Sequence, residues 1–305
     1  MTVKQVKVYA PASIANLGPG FDVFGIALDN LGDTLDVQVV NDPSITIMVE
    51  GFEDASIPVN SINNSAGAAL EYLSREKKLL TGFIVKITKG IPPGKGMGSS
   101  GASAAAAVVA ANRLLRLELT QSELVKAAAE GESAVAGSPH ADNVSASLLG
   151  GFVVVGENYE VTRLDMPEIG IVIVIPHVNY ENKTRMSREL LPKQVDLKKA
   201  VINIGYASRM VAAVAIKDPI LFGRSIRDFL VEPYRAQMIP NFNVVKKAAL
   251  EAGAYGCSIS GGGPSLFAVG KNPSKIGKAM SEAFGDTVSS ILVTKPSNKG
   301  TRVVN

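Results

Sequence analysis

Hydrophobic and polar positions in the first half of the chain alternate between the period of a strand and the period of a helix. Segments 4–12 and 34–49 are rich in β-branched residues and predict strands. Apolar residues recur at helical spacing over 65–78, which predicts an amphipathic helix. An apolar strand at 83–88 then precedes a glycine-rich loop, and a run of small residues predicts a helix over 99–115.

The same alternation continues through the second half. Thr120 followed by Glu123 is typical of the capping box that opens a helix, here over 120–133. The other predicted helices cover 197–216, 219–228, 243–252 and 273–284, and the other predicted strands cover 151–156, 169–175, 255–260, 265–269 and 288–293. This order favours an α+β fold in two units, residues 1–160 and 161–305.

The composition is that of an ordinary globular protein. Of 305 residues, 46% are hydrophobic and 19% are charged, and the formal net charge is +3. The pI is about 8.8, but the lysines are dispersed, so no nucleic-acid-binding groove is indicated. The sequence has no apolar run of about 18 residues and no signal peptide, and its single Cys257 excludes a disulfide framework. We therefore expect a cytoplasmic protein that binds neither nucleic acid nor membranes.

The loop between the predicted strand 83–88 and the helix 99–115 has the chemistry of a phosphate cradle. The segment 91–101 reads I-P-P-G-K-G-M-G-S-S-G, with four glycines and two serines. Glycine lets the backbone approach a bulky anion, and the following helix directs its free N–H groups and positive dipole end at the loop. Taken alone, the segment is also compatible with a glycine-rich turn before an alanine-rich core helix.

Two familiar nucleotide loops do not fit this segment. A Walker loop needs one more residue between Gly90 and Gly94, and Lys95 precedes a glycine where that loop has serine or threonine. Gly96, Gly98 and Gly101 formally satisfy the dinucleotide pattern. However, two prolines separate the loop from its strand, and no strand ending in an acidic residue follows.

The segment P-P-G-K-G-M-G-S-S-G-A resembles the second motif of the GHMP kinases, which phosphorylate small molecules. Met97 stands where that motif has leucine and Gly101 where it has alanine. The resemblance implies a ribosomal-protein-like β-α unit followed by a ferredoxin-like unit, with ATP between them. It also implies nucleotide contacts from Asn64, Pro92, Pro93, Gly94, Lys95, Gly96, Met97, Gly98, Ser99, Ser100, Gly101 and Ala102.

A second motif lies near the N-terminus, where 11–28 reads P-A-S-I-A-N-L-G-P-G-F-D-V-F-G-I-A-L. Asn and Asp in a glycine-rich turn more often cap the backbone than bind a ligand. The whole segment nevertheless resembles the first motif of homoserine kinases, a branch of the GHMP kinases. The resemblance implies that Asn16 and Asp22 contact an amino-acid substrate, the carboxylate being suited to its ammonium group.

The segment 131–144, G-E-S-A-V-A-G-S-P-H-A-D-N-V, carries most of the remaining titratable chemistry. His140 is one of only two histidines, so it has too few partners for a zinc site, and alone it is more often a packing residue. The resemblance assigns Ser100 and Glu132 to Mg²⁺ and His140 to the substrate. It assigns Asp142 to the substrate and to catalysis, the latter together with Asn143.

Two arginine segments supply complementary charge. Arg188 lies in K-T-R-M-S-R-E-L-L-P (183–192) and Arg235 in E-P-Y-R-A-Q-M-I-P (232–240), and both segments resemble homoserine kinase motifs. Guanidinium groups bind a carboxylate through two hydrogen bonds, so we expect both arginines, with the Thr184 hydroxyl, to contact the substrate. Without the resemblance, Arg188 is equally well explained as a solvated residue on a short helix.

The last motif is S-I-S-G-G-G-P-S at 258–265. A plain hairpin explains two glycines, whereas three followed by Pro264 suggest close approach to a ligand. The segment resembles the third GHMP motif, which implies that it closes over the phosphate loop and that Gly262 contacts the substrate.

Together the motifs resemble homoserine kinases closely, which implies Mg²⁺-assisted transfer of phosphate from ATP to L-homoserine in threonine biosynthesis. The motifs do not define an oligomeric state, and a homodimer is expected only from the habit of the family. Asp142 orients the hydroxyl, and either Asp142 or the phosphate itself accepts the proton. The second route stays open because the lysine that mevalonate kinases place near Ser13 is absent. Alternatives are a kinase for another small alcohol and a catalytically silent ATP-binding sensor.

Overall fold

Two β-sheets organise the chain in the computed structural model, which describes residues 4–53, 56–137, 140–178 and 183–304 and, at 136, 183–185 and 289, the backbone alone. The strands are β1 (Gln5–Asn16), β2 (Gly20–Val40), β3 (Ile45–Gly51), β4 (Gly82–Lys89), β5 (Phe152–Val155), β6 (Val161–Leu164), β7 (Gly170–Pro176), β8 (Gly256–Ile259), β9 (Leu266–Gly270), β10 (Val288–Thr294) and β11 (Arg302–Val304). The helices are α1 (Ser65–Lys77), α2 (Ser99–Leu115), α3 (Gln121–Ala136), α4 (Ala141–Leu149), α5 (Lys183–Glu189), α6 (Leu197–Ala215), α7 (Pro219–Arg224), α8 (Glu232–Arg235), α9 (Phe242–Glu251) and α10 (Pro273–Phe284).

The first sheet has the strand order β11-β1-β2-β4-β3, with β5 paired to β2 and β6 to β5. All of its strand pairs are antiparallel except β3 with β4. The alanine-rich helix α2 packs on β1 and β2, and ten of its residues from Gly101 to Ala111 are buried. Small side chains let this helix lie close to the sheet, and this packing fixes the position of its N-terminus.

The second sheet, β10-β7-β9-β8, is wholly antiparallel. Helix α10 packs on β7, β9 and β10, and α9 packs on α10 and β8. Val172, Leu266 and Met280 are fully buried where these layers meet. The predicted α+β class is confirmed.

Two predicted elements are wrong in extent. The strand predicted over 34–49 is two strands, because β2 ends at Val40 and residues 41–44, which include Pro43, form a bend before β3. The helix predicted over 219–228 ends at Arg224. Beyond it, the Asp228 side chain accepts hydrogen bonds from backbone N–H groups that lead into α8, which requires a turn there.

Helix α4 was not predicted as a separate element, whereas α2 and α10 match their predicted bounds. The predicted division between residues 160 and 161 falls between β5 and β6, which pair with each other, and β11 returns to the first sheet. That division stays a prediction. Among the described residues, no helix is long and apolar enough to cross a membrane.

Candidate active site

A cavity of about 380 Å³ collects the motifs that lie far apart in the sequence. Its lining includes the following predicted residues: Asn16, Asp22, Asn64, Pro93, Gly94, Gly96, Met97, Gly98, Ser99, Ser100, Glu132, His140, Asp142, Asn143, Arg188, Arg235 and Gly262. Pro92, Lys95, Gly101 and Ala102 are not part of this lining, and the Lys95 ammonium donates to the Val178 carbonyl (3.3 Å). The Thr184 side chain lies outside the described residues. The individual roles stay predictions.

The phosphate loop connects the end of β4 to the first turn of α2. Gly94, Gly96 and Gly98 have φ values of +69°, +78° and +65°, a conformation that other residues rarely adopt. Gly98 is also the N-cap of α2 and offers no capping side chain. The first-turn N–H groups of this helix are therefore available to an anion in the cavity.

The turn between β8 and β9 closes on this loop, as predicted. The Ser260 hydroxyl donates to the Gly96 carbonyl (2.7 Å), and a Cβ on Gly96 would lie 2.2 Å from the Ser260 carbonyl oxygen. The Gly261 carbonyl accepts from the Asn16 side-chain amide (2.9 Å) and from Arg235 (3.4 Å). This turn thus contacts both the phosphate loop and the predicted substrate residues.

Asn64 and Asn16 are both buried and already hydrogen-bonded within the protein. The Asn64 side chain caps α1 by accepting from the Ala66 N–H (3.0 Å). The Asn16 carbonyl oxygen accepts from the Asp22 N–H (3.0 Å). Each amide therefore holds backbone in place at the cavity wall.

Glu132 provides an incompletely paired carboxylate in the cavity. Its Oε1 accepts from the Ser100 hydroxyl (2.9 Å) and lies 3.7 Å from Nδ1 of His140, whereas its buried Oε2 has no hydrogen-bond partner. Burial raises the pKa of Glu132 to about 8. A hard divalent cation would satisfy Oε2 and favour the charged form. No cluster of three or more His, Cys, Asp or Glu side chains is found among the described residues, so such a cation would need further oxygen ligands.

Asp142 and Asn143 occupy the first turn of α4. Asp142 is 2% exposed, and burial, reinforced by the negative charge of Asp22, raises its pKa to about 7. The Asn143 amide oxygen accepts from the Ser13 hydroxyl (3.1 Å), and a Cβ on Gly98 would lie 3.0 Å from that oxygen. Asn143 therefore packs directly against the phosphate loop.

A cluster of charged groups of both signs, Asp22, Arg188 and Arg235, also lines the cavity. Both carboxylate oxygens of Asp22 pair with Arg188, at 3.1 and 3.2 Å, while Nε of Arg188 is buried without a hydrogen-bond partner. The guanidinium carbons of Arg188 and Arg235 lie 5.7 and 5.0 Å from the centroid of the Phe21 ring. Arg235 is 5% exposed, and burial lowers its pKa. The arrangement suits a small ligand carrying both an ammonium and a carboxylate group.

Sequence reasoning missed several residues that hold this site together. The Asn203 amide on α6 donates to the Pro19 carbonyl (2.9 Å) and accepts from the Phe229 N–H (3.2 Å), which anchors the β1–β2 turn. An asparagine within the apolar run V-I-N-I was a usable signal. Phe21 gave none, since an aromatic residue there is equally typical of a core.

Comparison with known proteins agrees with the motifs. Family models match residues 64–151 as "GHMP kinases N terminal domain" and 210–286 as "GHMP kinases C terminal". A homoserine kinase of Pyrococcus furiosus is 45% identical over 281 residues, covering 92% of this chain and 93% of its own. One of Methanocella arvoryzae is 40% identical over 305 residues, covering 99% of this chain and 98% of its own.

Solved structures extend the similarity to the fold. A homoserine kinase from Cytophaga hutchinsonii superposes with a TM-score of 0.91 at 38% identity, over 100% of this chain and 98% of its own. An L. major mevalonate kinase in complex with R-mevalonate gives a TM-score of 0.72 at 14% identity, over 98% of this chain and 97% of its own. The second match bears on the fold alone.

Proposed function

The chain belongs to the homoserine kinases of the GHMP kinase family, and from this premise we propose how its cavity transfers phosphate from ATP to the hydroxyl group of L-homoserine. The products are ADP and O-phospho-L-homoserine, an intermediate of threonine biosynthesis. One observation carries the proposal: the glycine-rich phosphate loop and the cluster of Asp22, Arg188 and Arg235 line the same cavity. A phosphate donor and an amino-acid acceptor can therefore meet there.

The triphosphate binds along the phosphate loop and the N-terminus of α2. Backbone N–H groups of Ser99 and Ser100 stabilise negative charge without side-chain rearrangement, because the helix holds them in place. Asn64, the N-cap of α1, also lines the cavity, and we propose that it borders the nucleoside. Catalysis at this end consists of positioning and charge stabilisation, which suits a loose phosphoryl-transfer transition state.

We propose that Ser100 and Glu132 hold Mg²⁺ together with phosphate oxygens. The unpartnered Oε2 of Glu132 and the adjacent hydroxyl are hard oxygen donors of the kind Mg²⁺ prefers. The ion, when bound, neutralises charge that develops on the β- and γ-phosphate oxygens.

The amino-acid substrate binds by breaking the ion pair between Asp22 and Arg188 and forming its own ion pairs with these residues. Asp22 accepts the substrate ammonium, and Arg188 and Arg235 bind its carboxylate, so each charge of the pair finds an opposite charge on the ligand. The buried Nε of Arg188 supports this proposal because it lacks a partner in the protein. Asn16, His140, Thr184 and Gly262 stay predicted substrate contacts.

In the reaction, the substrate hydroxyl oxygen bonds to the γ-phosphorus as the bond to the β,γ-bridging oxygen breaks, and ADP leaves. Asp142 orients the hydroxyl. With a pKa of about 7, its carboxylate can also accept the hydroxyl proton near neutral pH. Transfer of that proton to the phosphate is the alternative, and Asp142 then acts through orientation alone. Asn143 fixes α4 against the phosphate loop and thereby positions Asp142.

An ADP-release assay with Mg-ATP tests this function across a panel of alcohols. L-Homoserine, mevalonate, shikimate, L-threonine and L-serine are compared at saturating ATP. We expect saturable turnover with homoserine and little with the others, because only homoserine matches both charges and the length to the hydroxyl. Turnover with mevalonate or shikimate instead would contradict the assignment of the charged cluster.

We further propose that two copies of the chain associate through α6. Seven exposed large apolar side chains lie between residues 195 and 220: Val195, Leu197, Val201, Ile202, Ile204, Ile216 and Ile220. Leu197, Val201 and Ile204 fall on one helix face, and a Cβ on Gly205 would meet nothing within 4 Å. Large side chains beside an open notch are self-complementary when two such helices pack around a twofold axis.

Sedimentation equilibrium measures this association. The wild-type chain is expected to be a dimer at micromolar concentration, and Val201→Glu is expected to be a monomer with its fold intact, because it places a charge within the apolar stripe. Ile62→Glu, at an exposed site outside α6, is the control and stays a dimer. A monomeric wild-type chain contradicts the proposal.

We also propose the cytoplasm as the location of the protein, where ATP is present and the free thiol of Cys257 stays reduced.

A further inference from the structure

A buried network of charged and polar side chains lies beneath the phosphate loop, and none of the steps above uses it. The Lys89 ammonium donates to Oδ2 of Asp33, to the Ser103 hydroxyl (3.0 Å) and to the Ser99 carbonyl (3.0 Å). The Ser103 hydroxyl donates in turn to Oδ2 of Asp33 (2.8 Å). Asp33 is fully buried and Lys89 is 5% exposed. All three hydrogens of the ammonium therefore have protein acceptors.

This network joins both ends of the phosphate loop. Where the loop leaves β4, Oδ1 of Asp33 accepts from the N–H groups of Gly90 (3.1 Å) and Ile91 (3.2 Å). Where the loop enters α2, Lys89 holds the Ser99 carbonyl, and the Ser99 hydroxyl donates to the Ile91 carbonyl (3.1 Å). The two ends of the loop are thus hydrogen-bonded to each other and to the ion pair of Asp33 and Lys89.

The same point is anchored to the neighbouring strand. A Cβ on Gly90 would lie 2.1 Å from the Gly32 carbonyl oxygen, so β2 and the start of the loop are in direct backbone contact. Asp33 follows Gly32 on β2, which is held between β1 and β4. The network therefore fixes the start of the phosphate loop relative to β2, a strand in the interior of the first sheet.

Stability alone does not account for an ion pair at this site. Removing two charges from water costs about as much as their attraction returns, and well-packed apolar residues often stabilise such a position equally well. What the pair adds is geometry, because a satisfied buried polar network permits one arrangement of the chain segments that it joins. Here those segments are the two stems of the loop that receives the triphosphate.

We infer that Asp33 and Lys89 are positioning residues for ATP, which hold the loop ends so that the first turn of α2 faces the triphosphate. The inference rests on the proposed function, since it needs ATP in this loop. Lys89 lines the cavity, but its three ammonium hydrogens already have acceptors in the protein, so we assign it a role through the protein rather than through contact with phosphate. Loss of the pair should therefore weaken ATP binding and leave homoserine recognition unchanged.

The double variant Asp33→Asn/Lys89→Gln tests this inference, because removing both charges leaves neither ion unpaired. We measure the Kd for Mg-ATP by calorimetry, the KM for homoserine at saturating ATP, and the midpoint of thermal unfolding. We expect Kd for ATP to rise at least tenfold and KM for homoserine to change less than twofold. Val37→Ala is the matched control, because it creates a cavity at a fully buried position of β2, the strand that carries Asp33. It should lower the unfolding midpoint and leave Kd for ATP unchanged.

Ser103→Ala provides a milder test if the double variant does not fold. It removes one hydroxyl from the network and retains both charges, and we expect Kd for ATP to rise two- to fourfold. Wild-type ATP affinity in either folded variant overturns the inference, as does an equal loss of ATP affinity in Val37→Ala. Failure of the wild-type chain to bind ATP would contradict the proposed function instead, so the two failures are distinguishable.

Discussion

Single residues in this cavity owe their chemistry to burial. Glu132 and Asp142 are 3% and 2% exposed, and burial raises their pKa values to about 8 and about 7. Arg235 is buried as well, and its pKa falls for the same reason. Burial thus disfavours the charged form of each of these groups, and a ligand of opposite charge restores it, which is where binding energy is available.

Replacing Asp142 tests its proposed role. Asp142→Asn keeps the size of the side chain but removes the carboxylate that orients the hydroxyl. We expect kcat to fall by about 10²–10⁴-fold while Kd for ATP changes less than threefold. Steady-state kinetics and calorimetry measure the two quantities, with the exposed Asp286→Asn as a control that keeps full activity. Unchanged turnover would remove Asp142 from the mechanism.

Arg235 offers a test of carboxylate recognition. Arg235→Ala should raise KM for homoserine by the equivalent of about 2–5 kcal/mol, because a buried carboxylate would lose its partner. Arg235→Lys should recover part of the loss, since it restores the charge without the two-point geometry. Arg224→Ala, at an exposed position of α7, is the control. A wild-type KM in Arg235→Ala would place the substrate carboxylate elsewhere.

At the scale of elements, the phosphate loop works because it is held from both sides. The network at Asp33 fixes its base, and the Ser260 hydroxyl holds its tip at Gly96. Between them, three glycines adopt positive φ, and their surroundings differ. Gly94 is open to solvent, whereas Gly96 meets the backbone of the opposing turn.

This difference predicts losses of different size for two alanine substitutions in one loop. Gly94→Ala meets no atom within 4 Å and should cost only the strain of positive φ, about 1–2 kcal/mol. Gly96→Ala brings the same strain and also forces the loop away from the Ser260 carbonyl. We expect kcat/KM for ATP to fall at least 100-fold in Gly96→Ala and less than tenfold in Gly94→Ala. Equal losses would show that the turn at Ser260 does not define the loop.

Local elements followed from the sequence, and long-range contacts did not. Helix α2 was predicted to the residue because a glycine run precedes it and its small side chains form one continuous pattern. The motifs also selected most of the predicted site residues that line the cavity, although Pro92, Lys95, Gly101 and Ala102 do not line it. The hydrogen bond from Asn16 to Gly261 joins residues 245 positions apart, and the pair of Asp33 and Lys89 spans 56. No local pattern encodes such partners, because tertiary packing alone decides which polar residues meet.

At the scale of the whole molecule, the turn at Gly261 connects the proposed homoserine site to the proposed ATP site. Its carbonyl accepts from Asn16 and Arg235, which we propose to contact homoserine, and the adjacent Ser260 contacts the phosphate loop. Rigid elements of both sheets therefore meet at one turn. The cavity depends on their joint position, so neither sheet alone provides the site.

The raised carboxyl pKa values predict a pH dependence for the whole fold. Glu132, at 4.5 in its reference state and about 8 in the fold, binds its proton more tightly when folded. Its contribution to the free energy of unfolding is complete below about pH 4.5 and is lost as pH rises towards 8. Thermal unfolding of ligand-free protein from pH 5 to 8 should show a loss that Glu132→Gln reduces. A wild-type-like pH profile in Glu132→Gln would exclude Glu132 as its cause.

The most direct test of the central claim is to identify the product by phosphorus NMR. The chain is incubated with Mg-ATP and L-homoserine, and the fate of the γ-phosphate is followed. We predict one new phosphomonoester resonance, coupled to the two protons of the carbon that carried the hydroxyl, formed in equal amount with ADP. Inorganic phosphate as the only product, an acyl phosphate on the carboxylate, or no loss of ATP would contradict transfer to the side-chain hydroxyl.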